Sequence, residues 1–141
     1  MAGGLVIIFV TAASEQEATS ISRALVEEGL AACANIIPQI RSIYRWEGKI
    51  WDEREALIII KSREDLFERI RSRVKELHSY EVPEITAVKL DRGDSAYMQW
   101  IESVTTTKRR LTMGSVIKKR RKKMRKHKHK KQLARDRHKR K

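Results

Sequence analysis

The sequence predicts an α+β chain. It reads as a ferredoxin-like βαββαβ sandwich with a short C-terminal helix, followed by a basic tail that is disordered alone or helical when bound. Three observations carry this. Apolar residues switch between strand and helix periodicity in that order along the first 104 residues. One Gly-bearing turn joins two long extended stretches without a helix between them. The charge changes sign near residue 108: residues 108–141 carry 19 Lys or Arg against one acid, Asp136, for +18, and residues 1–107 carry 13 against 17 acids, for −4, which together give the chain's +14. An acidic domain and a basic tail therefore have to be read separately.

The first strand is Gly4–Ala12, "GLVIIFVTA", a continuous apolar run suited to burial on both faces. Ser14 with Glu17 three residues on forms a capping box that opens the first helix. Ala18, Ile21, Leu25 and Leu30 give its apolar stripe, Glu27 and Glu28 are expected to face water, and Gly29 ends it. Ala32–Trp46 reads as the second strand, with Ile40, Ser42, Tyr44 and Trp46 on one face and Arg41, Ile43 and Arg45 on the other. Pro38 predicts a bulge or an edge. The turn "WEGK" leads into a third strand, Ile50–Lys61, wet in its first part and buried in its second.

Ser62, with Asp65 three residues on, is expected to start the second helix, along which Leu66, Ile70, Val74 and Leu77 recur at helical spacing. Pro83 breaks the chain before the fourth strand, Ile85–Leu90. A turn at Gly93 precedes a last helix capped at Asp94 or Ser95. Both helices then lie on one face of an antiparallel sheet. The other face is left bare and rich in Ile, Tyr and Trp, which points to a closed homo-oligomer. The division is 1–104 folded domain, 105–112 linker and 113–141 basic tail.

Function classes narrow in the same way. One cysteine, Cys33, excludes an internal disulfide framework and fits a cytoplasmic protein. The longest apolar run is too short to span a bilayer, so no membrane partner is expected. No Ser-His-Asp arrangement, Gly-rich phosphate loop or CxxC is present, and an enzyme is not expected. Cys33 is either a small buried residue or a soft ligand for copper. His78, the one histidine of the acidic domain, is the best single candidate for a divalent metal, against an ordinary hydrogen-bonded histidine at a helix end.

The stretches "FVTAASEQEATSISRALVEEGLAACANIIPQIRSIYRWEGKI", "EALIIIKS", "HSYEVPEI" and "YMQWI" resemble the CutA divalent-cation tolerance family, over residues 5–104. The resemblance implies a ferredoxin-like homotrimer with sheets joined edge to edge, a link to copper and other divalent metals, and no established reaction. It implies a cleft between subunits lined by Tyr44, Trp46, Lys49, Glu55, Lys61, Tyr80 and Glu84. It also marks departures. The family's His-Pro-Tyr is here His78-Ser79-Tyr80, the first-strand Cys of some members is Val10, and their paired His is Leu77-His78.

The tail segment 118–131 holds eleven Lys or Arg and two His in fourteen positions. Lys118, Lys119, Arg120, Arg121, Lys122, Lys123, Arg125, Lys126, Lys128, Lys130 and Lys131 are candidate RNA-phosphate contacts. No aromatic residue is available for base stacking, so backbone and shape recognition of folded RNA fits best. His127 and His129 offer metal donors, but the surrounding cations repel a divalent ion. "MGSVIKKRRKKMRKHKHKK" resembles the basic C-terminal domain of the mitochondrial small-subunit ribosomal protein also known as Aurora kinase A-interacting protein, and its small bacterial counterpart, over residues 113–131. That resemblance implies small-subunit ribosomal RNA as the partner and a departure after Lys131. "MGSVIKK" reads as the start of an independent protein joined by fusion, or as an ordinary internal methionine.

Overall fold

A computed structural model describes residues 4–105. The tail and its candidate RNA contacts, Lys118 to Lys131, lie outside the described residues. The elements are β1 (Leu5–Ala12), α1 (Glu15–Glu27), β2 (Cys33–Trp46), β3 (Lys49–Arg63), α2 (Phe67–Leu77), β4 (Ile85–Lys89) and α3 (Ser95–Val104). The sheet order is β2-β3-β1-β4, with every pairing antiparallel. This is the ferredoxin-like order: β1 and β3 are central, each hydrogen-bonded to a neighbouring strand along both edges.

The capping box forms as the spacing predicts, with one difference. Ser14 Oγ accepts from Glu17 N–H at 3.1 Å. The Glu17 carboxylate reaches back to Ala13 N–H at 2.8 Å, one residue beyond the cap itself. Gly29 closes the helix at φ +76, a conformation that costs glycine nothing. α1 and α2 pack on one sheet face, and the core is built from Val6, Ile8, Val10 and Ala12 against Ile21, Leu25, Ile70 and Val74, with Ala56, Ile58 and Ile60 beneath.

Two expectations near the helices are corrected. Ser62 does not cap α2. It is the penultimate residue of β3, fully buried, and its hydroxyl donates to Leu30 O at 2.6 Å. A short 3₁₀ turn, Glu64–Leu66, intervenes before α2. Glu28 does not face water alone. It takes a bidentate guanidinium from Arg73 of α2, with 2.8 Å to the nearer nitrogen, and only 13% of its side chain is exposed. Burial opposes the Arg73 charge, but hydrogen bonds and attraction from Glu28 and Glu76 outweigh it and hold the guanidinium above its ordinary pKa.

The Pro38 expectation decides the other face of the sheet. Between the pairs Ile37↔Leu57 and Ile40↔Glu55, β2 advances three residues while β3 advances two. One extra residue inverts the alternation of β2. Ala34 and Ile36 therefore pack with the helices, while Ile40, Ser42, Tyr44 and Trp46 turn to the opposite face beside Trp51, Glu53 and Glu55. Beyond Ala12↔Ala56, β3 has no β1 partner and continues with β2 as a two-stranded arm. Its tip is the two-residue turn Glu47-Gly48, both at positive φ (52 and 78), as a type I′ hairpin requires.

The opposite face is not entirely bare. α3 crosses one end of it, packing Ile101 on Leu5 and Ala32 with Met98 and Val104 alongside. The remainder holds Ile7, Phe9, Leu57 and Ile59, each half-buried, with Ile37 and Val88 exposed. Ile43 and Ile50 on the arm are 64% and 61% exposed. Among the described residues no helix is long and apolar enough to cross a membrane.

Candidate functional site

The densest buried polar group sits where β1 ends, beneath the segment Ser79–Glu84 that follows α2. Four elements converge there. Because β1 stops at Ala12, the segment after α2 can wrap round its end and reach β3. His78 is fully buried. Its Nε2 is 2.6 Å from Thr11 O and its Nδ1 accepts Tyr80 N–H at 3.0 Å. The His78 and Tyr80 rings lie 4.8 Å apart, tilted by 48°. Tyr80 Oη donates to Glu55 Oε2 at 2.8 Å, and Glu55 is itself buried.

Glu17 locks the same segment from the helix side. Its Oε2 accepts Ser79 N–H at 2.7 Å and its Oε1 accepts Ser79 Oγ–H at 3.1 Å, in addition to Ala13 N–H. Glu17 is 3% exposed and its carboxylate takes three hydrogen bonds, so its burial is compensated. Ser79, where the resemblance leads one to expect proline, contributes the backbone N–H that a proline lacks. The Ser79 hydroxyl turns to Glu17 and not to His78, so the adjacent Ser and His do not form a nucleophile–base pair.

The seven cleft candidates fall into four places within one protomer. Glu55 and Tyr80 meet directly. Tyr44, Trp46 and Lys49 lie on the arm. Tyr44 Oη donates to Glu53 at 3.2 Å, Trp46 O accepts Trp51 Nε1–H at 3.0 Å, and the Lys49 ammonium sits 5.9 Å above the Trp51 ring. Lys61 is six residues along β3 from Glu55, about 20 Å at strand rise, where it donates to Asn35. Glu84, at the foot of β4, accepts from Thr86 Oγ1 at 3.3 Å, so it does not pair with Lys61.

The two metal-ligand candidates are also separate. Cys33 pairs with Lys61, which pairs with Ile7 on β1, whereas His78 contacts Thr11 four residues further along β1, about 13 Å away. Cys33 is partly exposed, its Sγ 3.7 Å from Asn35 Oδ1, and it neighbours Tyr97 of α3. Burial first, then the Cys33 thiol, push the Tyr97 hydroxyl above its ordinary pKa. Among the described residues no group of three or more His, Cys, Asp and Glu is placed to hold a metal ion. Among the described residues the donors of one protomer therefore do not gather at one point, because both His78 nitrogens are engaged and Cys33 stands apart.

Glu17, Ser79 and Thr11 join the group, and Glu53 meets Tyr44 on the arm, without having been singled out as site residues. For Glu17 the capping spacing was the signal, but it gave only the local half of the role. Thr11 acts through its carbonyl, which no side-chain pattern reveals.

Comparison with known proteins agrees with this architecture. Residues 6–104 match the CutA1 divalent ion tolerance protein family. The chain is 42% identical over 99 residues to the divalent-cation tolerance protein CutA of Thermus thermophilus, covering 70% of this chain and 96% of that one. It is 44% identical over 103 residues to human protein CutA, covering 73% of this chain and 58% of the human protein. Among solved structures, the divalent cation tolerance protein of Thermus thermophilus superposes with a TM-score of 0.71 at 41% identity, covering 72% of this chain and 99% of that one. CutA1 of Oryza sativa superposes with a TM-score of 0.72 at 35% identity, covering 74% and 96%. Residues 113–141 separately match the C-terminal region of mitochondrial mRNA-processing protein COX24, so the likeness runs to Lys141, past the expected departure after Lys131. On sequence and fold together, the chain belongs to the CutA1 divalent ion tolerance family.

Proposed function

We propose that this protein acts as a cytoplasmic, non-enzymatic homotrimer in the response to divalent cations, copper among them, and that its tail binds RNA. The observation that carries the trimer is the sheet face left half-covered by α3, with Ile7, Phe9, Leu57 and Ile59 beside an arm whose Ile43 and Ile50 face solvent. Apolar side chains left open on that sheet face, and on the other face of the arm at Ile43 and Ile50, are surface that association would cover. Assembly brings the arm of one copy against its neighbour, so that Tyr44, Trp46 and Lys49 of one subunit complete a cleft with Glu55, Tyr80, Lys61 and Glu84 of another. Metal donors such as Cys33 act together only across copies, since one protomer lacks a complete set among its described residues.

Sedimentation at micromolar concentration tests the assembly. A trimer is the expected result, and a monomer refutes it. A strain lacking the protein, challenged with copper and complemented with full-length or 1–107 protein, tests the role. Both forms are expected to restore growth, and failure of both removes the metal-tolerance reading.

In a second reading the tail anchors the protein to small-subunit ribosomal RNA and the folded domain is an accessory; the eleven Lys or Arg of residues 118–131 support an RNA partner, and residues 113–141 match a protein described as mRNA-processing. If the tail makes about 6–10 phosphate contacts, affinity falls by ~10³–10⁵ between low and moderately raised salt. Co-migration with small ribosomal subunits at low salt, abolished by removing residues 113–141, supports this reading. Co-migration that survives the truncation refutes it.

A further inference from the structure

The partners of His78 specify its protonation without reference to any titration. A carbonyl oxygen only accepts, so the short contact to Thr11 O means that Nε2 carries the proton. A backbone N–H only donates, so Nδ1 must present its lone pair to Tyr80. The two neighbours select one neutral tautomer. A carbonyl on one ring nitrogen is also what a metal-bound imidazole commonly has. The difference here lies at the other nitrogen. The lone pair that a metal would take is aimed at the Tyr80 amide, in a ring with no exposed surface.

We infer that His78 is a positioning residue and not a metal ligand: its Nδ1 holds the Tyr80 amide and its Nε2 anchors the ring to β1, so that the Tyr80 hydroxyl is delivered to Glu55. The link from Nδ1 to the amide two residues on resembles the turn an Asn or Asp side chain makes with its own backbone. Glu17 grips Ser79 on one side, and Tyr80 bonds Glu55 on the other. The short segment between them is thus fixed at amide, side chain and ring. The geometry belongs to a single protomer. It stands or falls independently of the trimer and of the metal-tolerance reading.

The two nitrogens can be replaced one at a time. His78→Asn keeps an acceptor near Nδ1 for the Tyr80 amide. His78→Gln keeps a donor near Nε2 for Thr11 O. The experiment labels the full-length protein with ¹⁵N-histidine and Cζ-labelled tyrosine and adds zinc to one equivalent. In the wild-type protein one histidine of the four is expected to show a protonated Nε2 and an unprotonated, hydrogen-bonded Nδ1, unmoved by zinc. The Tyr80 Cζ resonance, assigned with Tyr80→Phe, is expected to stay at its wild-type value in His78→Asn and to shift in His78→Gln. Zinc affinity is expected to show no fold-change in either variant.

A wild-type His78 ring that shifts with stoichiometric zinc while the fold persists overturns the inference. So does an unmoved Tyr80 resonance in His78→Gln. If both variants fail to fold, the wild-type tautomer and its indifference to zinc still decide the matter.

Discussion

Removing the Glu17 carboxylate is the most demanding test of the buried polar group. Glu17→Ala deletes an acceptor that serves Ala13 N–H, Ser79 N–H and Ser79 Oγ–H, at 2.8, 2.7 and 3.1 Å. The Ser79 hydroxyl can rotate towards another partner, but the two amides cannot. Ser79 is 8% exposed, and its amide is left without water. An orphaned buried donor costs about 1–3 kcal/mol; the Ser79 amide carries that full cost, and the Ala13 amide, in a half-buried residue, adds a smaller part. A domain of this size has a total stability of about 5–15 kcal/mol, so the change removes a large share of it. Glu17→Gln keeps the volume and one acceptor oxygen but points an N–H₂ at a donor, and should fall between alanine and wild type. The assay is urea unfolding at one fixed protein concentration, since assembly makes the midpoint concentration-dependent. A loss below about 0.5 kcal/mol for Glu17→Ala, within the range of ordinary surface changes, refutes the argument that Glu17 holds the segment after α2.

Three other outcomes follow from the same geometry. Ser79→Pro restores the family's His-Pro-Tyr but removes an amide and a hydroxyl from Glu17; proline's entropic gain of about 0.4–1 kcal/mol is smaller than the ~1–3 kcal/mol lost, so the thermal midpoint should fall, and a rise shows the Ser79 bonds to be weak. Arg73→Met leaves the Glu28 carboxylate, 13% exposed, without its bidentate partner, and should cost more than Arg71→Met, whose partner Glu68 is 78% exposed, when both are compared by denaturant midpoint. The Arg41 hydrogen bond and charge hold the Asp52 carboxyl below its ordinary 3.8. A carboxyl whose folded pKa is depressed stabilises above its unfolded pKa and loses that contribution as pH falls through the folded value. The Arg41–Asp52 contribution is therefore full above about pH 4 and fades below it, and Asp52→Asn should flatten that part of the acid-unfolding curve by a small amount, because both side chains are exposed.

Much of the fold was legible because it is written in local periodicity. The run Gly4–Ala12, the Ser14/Glu17 box, the Gly48 turn and the Asp94 cap each depend on residues within a turn or two. Asp94 accepts from Tyr97 N–H as the spacing implies. Ser62 was misread for the same reason. It satisfies the capping spacing, but its hydroxyl finds a closer acceptor in Leu30 O, 32 residues away, and β3 runs past it. Glu28 was misread because its partner Arg73 lies 45 residues on, across the helix layer.

What the sequence by itself determined is the order of elements, a bulge or an edge at Pro38 and the division between an acidic stretch and a basic tail, since these follow from side-chain period, proline geometry and charge. What only the tertiary structure decided is which polar groups meet. The cleft candidates chosen by chemical type fell into four separate places. The group that did form, Thr11, Glu17, His78, Ser79, Tyr80 and Glu55, draws on residues far apart in the chain and is held partly by backbone atoms, which carry no residue-specific signature. The reason is that a buried hydrogen bond is set by where chain ends stop. β1 ends at Ala12, the segment after α2 turns round that end, and His78 is thereby committed to an amide and a carbonyl, whatever metal its residue type suggests.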